Sequence, residues 1–572
     1  MTVGGALQRA WRPGLCALLC LSSAAAPAPT LPPNDLVARG RHAAVVTGEP
    51  HATAVGLQVL RDGGNAVDAA VAVALTLAVT HPQAGNLGGG GFFVIRMADG
   101  RTTSLDFRER APRSAKADMY LKPDGSVDED RIQFGASAAG VPGSPAGLLY
   151  ALQKFGTRNL ADVAGPAIRL AREGIGVDQF LAEDLAENQK ELARFPSTKK
   201  VFFRGDKPLA QGDVLVQPDL AATIERFAEK GLEGFYGGRT AELLVAQMQA
   251  DGGFVTAQDL SAYAVRERPV LRGTYHDIEV LSMPPPSSGG VALLQMLNLL
   301  ESYDLRALGF GGSEYIHLLT EVMRRAYADR SRWLGDPDHY QVPVEGLVGK
   351  EYAAKLRAGI DLESKSEVKP GVPPGSKESD DTTHFSIVDR FGNAVACTTT
   401  INSTFGSAVV VDGAGFLLNN EMDDFSAKPG VPNQFGLVGG AANAIGPGKR
   451  MLSSMTPTIV LQKGELRCVL GAPGGGRIIT AVLQVLLNMF DHHMGLEAAV
   501  RAPRVHHQWL PDEITWEEQS LTPDVRQALI RKGHSFAAKP RGIGQVFAIE
   551  VLPDGARLGV CDHRSGGSAL AY

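Results

Sequence analysis

The chain of 572 residues is long enough for one to four domains of average size, and its 44% hydrophobic content supplies a large core. Its 56 basic and 62 acidic residues give a formal net charge of −6, with no concentration of one sign. This weak, dispersed charge favours neither nucleic acid nor an anionic membrane surface as a partner. A small molecule or a peptide is therefore the expected ligand.

The first 26 residues have the pattern of a secretory signal peptide whose end the sequence does not fix. Arg9 and Arg12 precede an apolar stretch at 15–25, and small residues and prolines follow it at 26–33. The apolar stretch is shorter than the about 20 residues of a membrane span, which leaves an uncleaved anchor or a buried helix as alternatives. No later segment predicts a stable span, so we expect a periplasmic or secreted protein.

The cysteines predict no disulfide framework. Cys16 and Cys20 belong to the signal-like segment, where Cys20 also allows a lipoprotein, although Leu19 before it is bulkier than such a cleavage site favours. The other three are far apart, are odd in number and are expected in buried strands: Cys397, Cys468 and Cys561. Neither these cysteines nor the His pairs at 492–493 and 506–507 have metal-ligand spacing, so we expect no metal or cofactor.

Helical and strand patterns are mixed in the first part of the chain. The Ala-rich segments 51–60 and 65–79 have helical periodicity, and two glycines separate them. Four glycines at 88–91 precede the strand-like segment 92–96 and lack the Lys-Ser/Thr of a P-loop. They indicate tight backbone packing and not phosphate binding.

Thr382 directly follows the strongest interior linker signal, the segment 365–381. This segment combines three prolines, two glycines and many charges with only two valines, which predicts an exposed and mobile stretch. A hydroxyl nucleophile needs no separate base if the peptide bond before it is cut, because the freed α-amine lies beside its own side chain. Thr382 is therefore a candidate concealed N-terminus.

Strand patterns on both sides of the turn at 390–393 predict an antiparallel hairpin that begins near Thr382. In this hairpin Thr382 lies opposite a position near residue 401, which Thr400 and Asn402 flank. Because these two residues are two apart on a strand, both project from the face of the candidate nucleophile. A half-solvated sheet rich in threonine is the alternative explanation of the same composition.

Two later loops carry groups suited to binding charge. A glycine turn at 471–476 lies between a strand pattern at 466–470 and a helical pattern at 477–489. Its N–H groups would converge on negative charge, as an oxyanion hole requires, although ordinary strand-to-helix turns also use glycine. At 419–425, acids and amides could hold an ammonium group, whereas a capped turn or a calcium-like loop without EF-hand spacing is the alternative.

Nine short motifs are distributed over nearly the whole chain after the signal-like segment. In chain order they are 86–92 (NLGGGGF), 106–109 (DFRE), 284–290 (PPPSSGG), 326–330 (AYADR), 382–386 (TTHFS), 419–426 (NNEMDDFS), 452–455 (LSSM), 473–475 (PGG) and 506–510 (HHQWL). In this order and number, they resemble the motifs of the γ-glutamyltranspeptidase family of self-cleaving N-terminal nucleophile hydrolases.

The resemblance implies an α+β fold, a four-layer αββα sandwich of the N-terminal nucleophile hydrolase type. Cleavage between Asp381 and Thr382 would divide it into a large subunit, residues 27–381, and a small subunit, residues 382–572, which interleave in one composite domain. Thr382 would first attack the carbonyl carbon of Asp381, and water would then release the new N-terminus.

The implied reaction takes the γ-glutamyl group from glutathione or a related compound and passes it to water, an amino acid or a dipeptide. Thr382 would attack the γ-carbonyl with its own α-amine as base, since the unperturbed pKa of such an amine is about 7.7 to 8.0. The resemblance assigns catalysis to Thr382, Thr400, Gly474 and Gly475. It assigns the substrate α-carboxylate to Arg108, Ser453 and Ser454, and the α-amino group to Asn402, Glu421 and Asp424.

Two positions depart from the family pattern. Phe435 lies in the segment 429–449, which resembles a lid loop, and stands where a tyrosine commonly reaches the residue equivalent to Asn402. We therefore expect the lid to close less firmly, with easier access for water or larger acyl groups. Met451 replaces a proline often found at its position, and we expect this change to be minor.

Two other functions fit part of the pattern. An acylase of the same superfamily that cleaves glutaryl or cephalosporin side chains would share Thr382 and the glycine turn. It would have less need of an ammonium pocket, so Glu421 and Asp424 argue against it. A non-catalytic exported binding protein would keep the fold and would remain a single uncut chain.

Overall fold

The structure, a computed structural model, describes residues 1–2, 32, 34–368 and 382–572. Most of the predicted signal peptide, with Cys16 and Cys20, lies outside the described residues. So do residues 369–380 of the predicted linker and Asp381 of the predicted cleavage site.

Within the described residues, the strands form two seven-stranded sheets and three two-stranded ribbons. In chain order the strands are β1 Val37–Gly40, β2 Ala44–Thr47, β3 Gly90–Arg96, β4 Thr102–Asp106, β5 Ile175–Gly176, β6 Phe203–Arg204, β7 Lys207–Pro208, β8 Val214–Leu215, β9 Arg266–Arg268, β10 Leu271–Tyr275, β11 Ile278–Ser282, β12 Thr383–Val388, β13 Ala394–Thr400, β14 Thr458–Gln462, β15 Glu465–Gly471, β16 Val505–His506, β17 Thr515–Trp516, β18 Phe547–Val551, β19 Arg557–Cys561 and β20 Ser568–Ala571.

The α-helices of the same residues surround the sheets. They are α1 Pro50–Arg61, α2 Ala66–Thr80, α3 Glu129–Gln133, α4 Ser144–Phe155, α5 Leu160–Glu173, α6 Gln179–Glu187, α7 Gln189–Leu192, α8 Pro196–Phe202, α9 Pro218–Lys230, α10 Glu233–Tyr236, α11 Gly238–Ala250, α12 Ala257–Ser261, α13 Gly289–Leu300, α14 Leu305–Leu308, α15 Ser313–Trp333, α16 Val344–Leu347, α17 Lys350–Arg357, α18 Arg477–Phe490, α19 Leu496–Arg501 and α20 Pro523–Arg531. Short 3₁₀ turns occur at Ala136–Ala138, Glu421–Asp424 and Ala441–Asn443.

The two large sheets are antiparallel and lie face to face. The first has the order β1-β19-β18-β15-β14-β11-β10, and the second has the order β20-β2-β12-β13-β3-β4-β9. Both combine strands from before residue 369 with strands from after residue 381. Neither part of the chain therefore has a complete sheet of its own.

The alternation of side chains along the second sheet creates two apolar faces. Phe92 and Val94 point inward and pack in one core with the first sheet and with helices α13, α15 and α18. Phe93, Phe385 and Val395 point outward and pack against α1, α2, α4 and α5. These four layers confirm the predicted αββα sandwich.

Helix α2 shows how local sequence and burial agree. Asn65 caps it by accepting hydrogen bonds from the N–H groups of Val67 and Asp68, and Asp68 accepts one in return from the Asn65 N–H. Its residues are buried on all sides, which explains the uninterrupted Ala, Val and Leu composition. The predicted helices at 51–60 and 65–79 are confirmed as α1 and α2.

The remaining described cysteines behave as predicted. Cys397, Cys468 and Cys561 are buried, unpaired residues of β13, β15 and β19. None of the helices in the described ranges combines the length and the apolar character of a membrane span.

Candidate active site

Thr382 stands immediately before β12, an inner strand of the second sheet between β2 and β13. The pairing of Thr383 with Thr399 places Thr382 directly opposite Thr400, and their hydroxyl oxygens are 3.4 Å apart. The hairpin prediction is confirmed, but the predicted register was wrong by one residue. Val388 pairs with Ala394 next to the turn, so Thr382 lies opposite residue 400 and not residue 401. Thr400 is therefore the direct partner of the candidate nucleophile.

Asn402 also differs from its predicted placement. Strand β13 ends at Thr400, and Asn402 adopts a left-handed conformation with φ of 80°, so the two residues do not share a strand face. The Asn402 N–H donates to the Thr400 hydroxyl at 2.8 Å, and its side-chain amide donates to the Asn420 carbonyl at 2.9 Å. Asn402 thereby connects the Thr382–Thr400 pair to the acidic segment that follows Asn420.

A buried histidine fixes the strand that carries Thr382. His384 Nδ1 lies 2.8 Å from the Thr398 hydroxyl, and its Nε2 lies 3.1 Å from the Ser386 hydroxyl. Burial lowers the pKa of His384 to about 3, so the ring is neutral. A Cβ at Gly471 would lie 2.4 Å from this ring, so only glycine lets β15 approach β12 so closely. This contact brings the glycine turn toward Thr382.

The predicted glycine turn leads into α18. Gly474 and Gly475 have φ of 130° and 51°, which glycine adopts without strain. Their carbonyls accept hydrogen bonds from Arg477 and Ile478, whereas neither glycine N–H donates to any described residue. Gly474 lines the same pocket as Thr382, and Gly475 follows it in the turn before the N-terminus of α18.

Arg108 lies two residues beyond the end of β4 and is only 1% exposed. Its Nη1 is 2.7 Å from the Glu421 carboxylate, and its Nη2 contacts the Asp424 carboxylate. A third carboxylate, that of Glu109, is 3.6 Å from Nη1. The structure thus brings together the residues predicted for the two charged substrate groups, but it pairs them with one another.

Burial dominates the electrostatics of this group, hereafter the Arg108 cluster (Arg108, Glu109, Glu421 and Asp424). It raises the pKa of Glu421 and Asp424 despite the opposing effect of Arg108, and it raises the pKa of Glu109 to about 8. Although burial alone would lower the pKa of Arg108, the carboxylates of Glu421 and Asp424 raise it above its usual value. The guanidinium is therefore charged, and the three acidic side chains surround it.

Ser453 and Ser454 are held by two motifs for which the sequence offered no role. Ser288, from the motif 284–290, donates from its N–H and its hydroxyl to the Ser453 carbonyl at 2.7 and 2.6 Å. Arg330, from the motif 326–330, donates to the Ser288 hydroxyl at 2.9 Å and to the Ser454 hydroxyl at 3.1 Å. Arg330 is buried, and sequence reasoning missed it as a residue that positions the serines.

The glycine run at 88–91 packs closely against other backbone, as predicted. A Cβ at Gly88 would lie 2.0 Å from the Leu417 carbonyl oxygen. The Gly88 carbonyl accepts a hydrogen bond from the Asn419 side chain at 2.7 Å. This contact anchors the start of the acidic segment that ends at Asp424.

The segment 429–449, which resembles a lid loop, is held in place by hydrogen bonds of amide groups. The Ser403 hydroxyl donates to the Gln434 side chain at 2.7 Å, and the Gln434 N–H donates to Asp423 at 3.1 Å. The Gln508 side chain donates to the Phe435 carbonyl at 3.1 Å. The Phe435 ring is buried in the same apolar cluster as Leu437 and Val438. These hydrogen bonds hold the loop in this chain, which has Phe435 at the position where the family commonly has a tyrosine.

The layers, the strand order and the threonine at the head of an inner strand define an N-terminal nucleophile hydrolase. The solved structure of cephalosporin acylase from Bacillus halodurans has the same fold, with a TM-score of 0.83 and 26% identity over 96% of this chain and 99% of that one. The model of the gamma-glutamyltranspeptidase family matches residues 52–572. The chain belongs to this family.

Two curated relatives extend over almost the same length. The glutathione hydrolase proenzyme of Escherichia coli strain K12 is 47% identical over 568 residues, which is 97% of each chain. The Acylase ACY 1 proenzyme of Pseudomonas sp. strain V22 is 40% identical over 541 residues, which is 93% of this chain and 94% of the acylase.

Proposed function

We propose that this chain is a self-processing γ-glutamyltransferase and glutathione hydrolase with Thr382 as its nucleophile. The observation that carries the proposal is the position of Thr382 at the head of the inner strand β12, with its hydroxyl oxygen 3.4 Å from that of Thr400. The glutathione hydrolase relatives support the activity. The signal-like pattern of the first 26 residues supports export to the periplasm or the exterior.

The Thr382 hydroxyl acts first in self-cleavage of the chain and only afterwards on γ-glutamyl donors. Thr382 Oγ1 attacks the carbonyl carbon of Asp381, and the C–N bond breaks as the nitrogen takes the hydroxyl proton. Water then attacks the resulting ester, which leaves a carboxyl group on Asp381 and a free α-amine and hydroxyl on Thr382. The large and small subunits remain associated because both large sheets contain strands of each.

Donor recognition is an exchange of ion-pair partners. The α-carboxylate of a γ-glutamyl group would take the place of a protein carboxylate on the fork of Arg108, and Ser453 and Ser454 would supply further donors. The released carboxylates of Glu421 and Asp424 would hold the α-ammonium together with Asn402. The exchange is neutral in charge, so the buried cluster is never left with an unpaired group.

In the acylation step, the glycine turn supplies the oxyanion hole. The α-amine of Thr382 takes the hydroxyl proton as Oγ1 attacks the γ-carbonyl, and the N–H groups of Gly474 and Gly475 stabilise the oxyanion. Collapse of the tetrahedral intermediate breaks the C–N bond, and the leaving amine takes the proton from the α-ammonium. Water converts the ester to glutamate, whereas an amino acid or dipeptide converts it to a new γ-glutamyl amide.

A glutaryl or cephalosporin acylase is the second candidate, favoured by the ACY 1 relative and the solved acylase. A glutaryl group lacks the ammonium that Glu421 and Asp424 would hold. We therefore expect kcat/KM for γ-glutamyl-p-nitroanilide to exceed that for glutaryl-p-nitroanilide by about 100-fold or more, because the unsatisfied acids disfavour the glutaryl group.

The measurement is p-nitroaniline release from both compounds by the natural chain and by Asp424→Asn. The variant should reduce the preference, whereas Asp251→Asn on the exposed end of α11 should not change it. Equal turnover of the two compounds by the natural chain, or faster turnover of the glutaryl compound, would favour the acylase.

The lid supplies a further prediction. Phe435→Tyr should lower the ratio of hydrolysis to transfer and narrow the range of acyl groups, because in the family pattern a tyrosine hydroxyl at this position reaches the residue equivalent to Asn402 and would fasten the loop. The ratio is measured from the products of one γ-glutamyl donor with and without an acceptor. The matched control is Phe391→Tyr at the exposed tip of the β12–β13 hairpin. An unchanged ratio of hydrolysis to transfer, together with unchanged acyl selectivity in Phe435→Tyr, would contradict a role of residue 435 in closing the lid.

A further inference from the structure

The segment 361–366, hereafter the docked segment, lies shortly before the predicted cleavage site and is held by residues that follow this site. The Lys365 N–H donates to the Lys532 carbonyl at 2.7 Å, and the Lys365 ammonium lies 2.7 Å from the Asp512 carboxylate. The Lys532 ammonium donates to the Leu362 carbonyl at 2.6 Å. Because Lys532 and Asp512 belong to the predicted small subunit, these contacts dock the end of the predicted large subunit on it.

Helix α15 of the predicted large subunit holds the docked segment from a second side. Arg324 donates to the Ser366 carbonyl at 2.8 Å and to the Glu321 carboxylate at 2.6 Å. The Ser366 N–H donates to Glu321 at 3.3 Å, and Arg324 Nε lies 3.3 Å from the Asp512 carboxylate. Glu321 and Arg324 are buried, so salt and water screen these contacts little.

Two buried histidines join the docked segment, α15 and the small subunit. His317 Nε2 is 2.8 Å from the Asp361 carbonyl oxygen, and His317 Nδ1 is 2.7 Å from His534 Nε2. Since a carbonyl oxygen only accepts, Nε2 of a neutral His317 carries the proton, and its Nδ1 accepts from the N–H of His534. This assignment leaves His534 Nδ1 as a bare acceptor, and that atom is buried without a hydrogen-bond partner among the described residues.

The pair, hereafter the histidine clamp (His317 and His534), has no place for an added proton. A proton on His534 Nδ1 would create a buried N–H group without an acceptor. A proton on His317 Nδ1 would force His534 to accept at Nε2 and to carry its own proton on the same buried Nδ1. In both cases a charge enters the interior and one buried N–H group lacks a partner, which is unfavourable.

The acid that faces the clamp from α15 does not offset this cost. Burial, followed by repulsion from His317, lowers the pKa of His534 to about 3. Glu321 has the opposite effect on this pKa, but its carboxylate is already paired with Arg324 at 2.6 Å and with Arg325 at 2.7 Å. The environment therefore favours the neutral imidazole.

The other charged groups around the clamp favour its neutral form or are engaged elsewhere. Lys365 and His507 both lower the pKa of His534. The Asp512 carboxylate lies 2.7 Å from Lys365 and 3.3 Å from His507. The exposed Asp361 carboxylate accepts hydrogen bonds from the next residues of its own segment. The ammonium at the end of α20 is paired with two carboxylates, and these residues are Lys532, Glu314 and Glu363.

We propose that the histidine clamp keeps the end of the large subunit docked on the small subunit after self-cleavage, and that it releases the docked segment in acid when an imidazole takes up a proton. This inference rests on the proposed function, because only cleavage creates the two chains. Neither histidine of the clamp lines the recess that contains Thr382, so the clamp is separate from the nucleophile.

The direction of the pH dependence follows from the two states of the clamp. In the released state a histidine regains its ordinary pKa of about 6.5, whereas the closed clamp holds the pKa of His534 at about 3. The released state therefore binds protons more strongly than the closed state. The clamp is fully stable above about pH 6.5 and loses stability progressively as the pH falls toward about 3.

Deuterium uptake measured by mass spectrometry tests the inference on the processed two-chain protein. After correction for the intrinsic pH dependence of exchange, the docked segment should exchange about tenfold or more faster at about pH 5 than at about pH 7.5, because release takes up one proton. His534→Gln should remove most of this difference, since the glutamine amide can either donate to His317 or accept from it. The buried helix α2 is the internal reference and should exchange slowly at both pH values.

The matched control is His42→Gln in the exposed turn between β1 and β2, which should keep the natural pH dependence. Equal exchange of the docked segment at both pH values in the natural chain, or an unchanged pH dependence in His534→Gln, would overturn the inference. An equal acceleration in α2 would indicate general unfolding and would also overturn it. A natural chain that stays uncut on a denaturing gel would instead contradict the proposed function, whereas exchange of the docked segment is measured in cut and uncut protein alike.

Discussion

Replacing Thr382 with alanine should abolish both cleavage of the chain and turnover of γ-glutamyl amides. The substitution removes the oxygen atom that attacks the Asp381 carbonyl and, later, the γ-carbonyl of the donor. We expect one uncut chain on a denaturing gel and a loss of kcat/KM of about 10⁴-fold or more. The measurements are the gel and p-nitroaniline release from γ-glutamyl-p-nitroanilide.

Thr382→Ser is the matched control, because it keeps a hydroxyl at the head of β12. It should still produce two chains and retain measurable turnover, although loss of the methyl group gives Oγ more rotational freedom. Cleavage or turnover that persists in Thr382→Ala would overturn the assignment of the nucleophile. An equal loss of kcat/KM in Thr382→Ser and Thr382→Ala would show that the side-chain hydroxyl does not determine activity.

Replacing Arg108 with lysine should have the second largest effect. Lysine keeps the charge, but it cannot contact Glu421 and Asp424 with two separate N–H groups as the guanidinium does. The loss of a buried, hydrogen-bonded charge contact should lower kcat/KM for the donor by about 100-fold, mainly through KM, because the fork binds the α-carboxylate. Michaelis–Menten analysis with a γ-glutamyl donor measures this split.

A surface arginine provides the comparison for Arg108→Lys. Arg239 on α11 is exposed and pairs with Glu242 at 3.7 Å, so Arg239→Lys should leave the donor KM unchanged. The Arg108→Lys protein must still be cleaved into two chains, which separates weak binding from misfolding. A donor KM within about twofold of the natural value would contradict the role of Arg108 in carboxylate recognition.

Local sequence patterns predicted much of the fold. Helix α2 has a cap and a continuous apolar composition, and the β12–β13 hairpin has β-branched strands around turn residues, so both were found without tertiary information. The hairpin register was missed by one residue, since it depends on which pair closes the turn and not on composition. The end of β13 at Thr400 and the left-handed Asn402 were also missed, because the composition stays strand-like as far as residue 402.

The candidate site was predicted as a set of residues but not as a set of contacts. Arg108 and Asp424 are 316 positions apart, so no periodicity or spacing reveals that they pair directly. The roles of His384 and Arg330 depend on the approach of β15 to β12 and of α15 to the loop at 453–454, which only the packed layers show. The recess that Thr382 and Gly474 line likewise combines residues from α6, the β2–α1 connection and the 542–547 segment.

Mass spectrometry of the separated chains identifies the nucleophile directly. The purified protein is mixed briefly with a γ-glutamyl donor, quenched in acid, and the mass and N-terminus of each chain are determined. We expect a small chain that begins with Thr382 and carries one additional γ-glutamyl group on Thr382. A single uncut chain, a small chain with another first residue, or a γ-glutamyl group on a different side chain would contradict it.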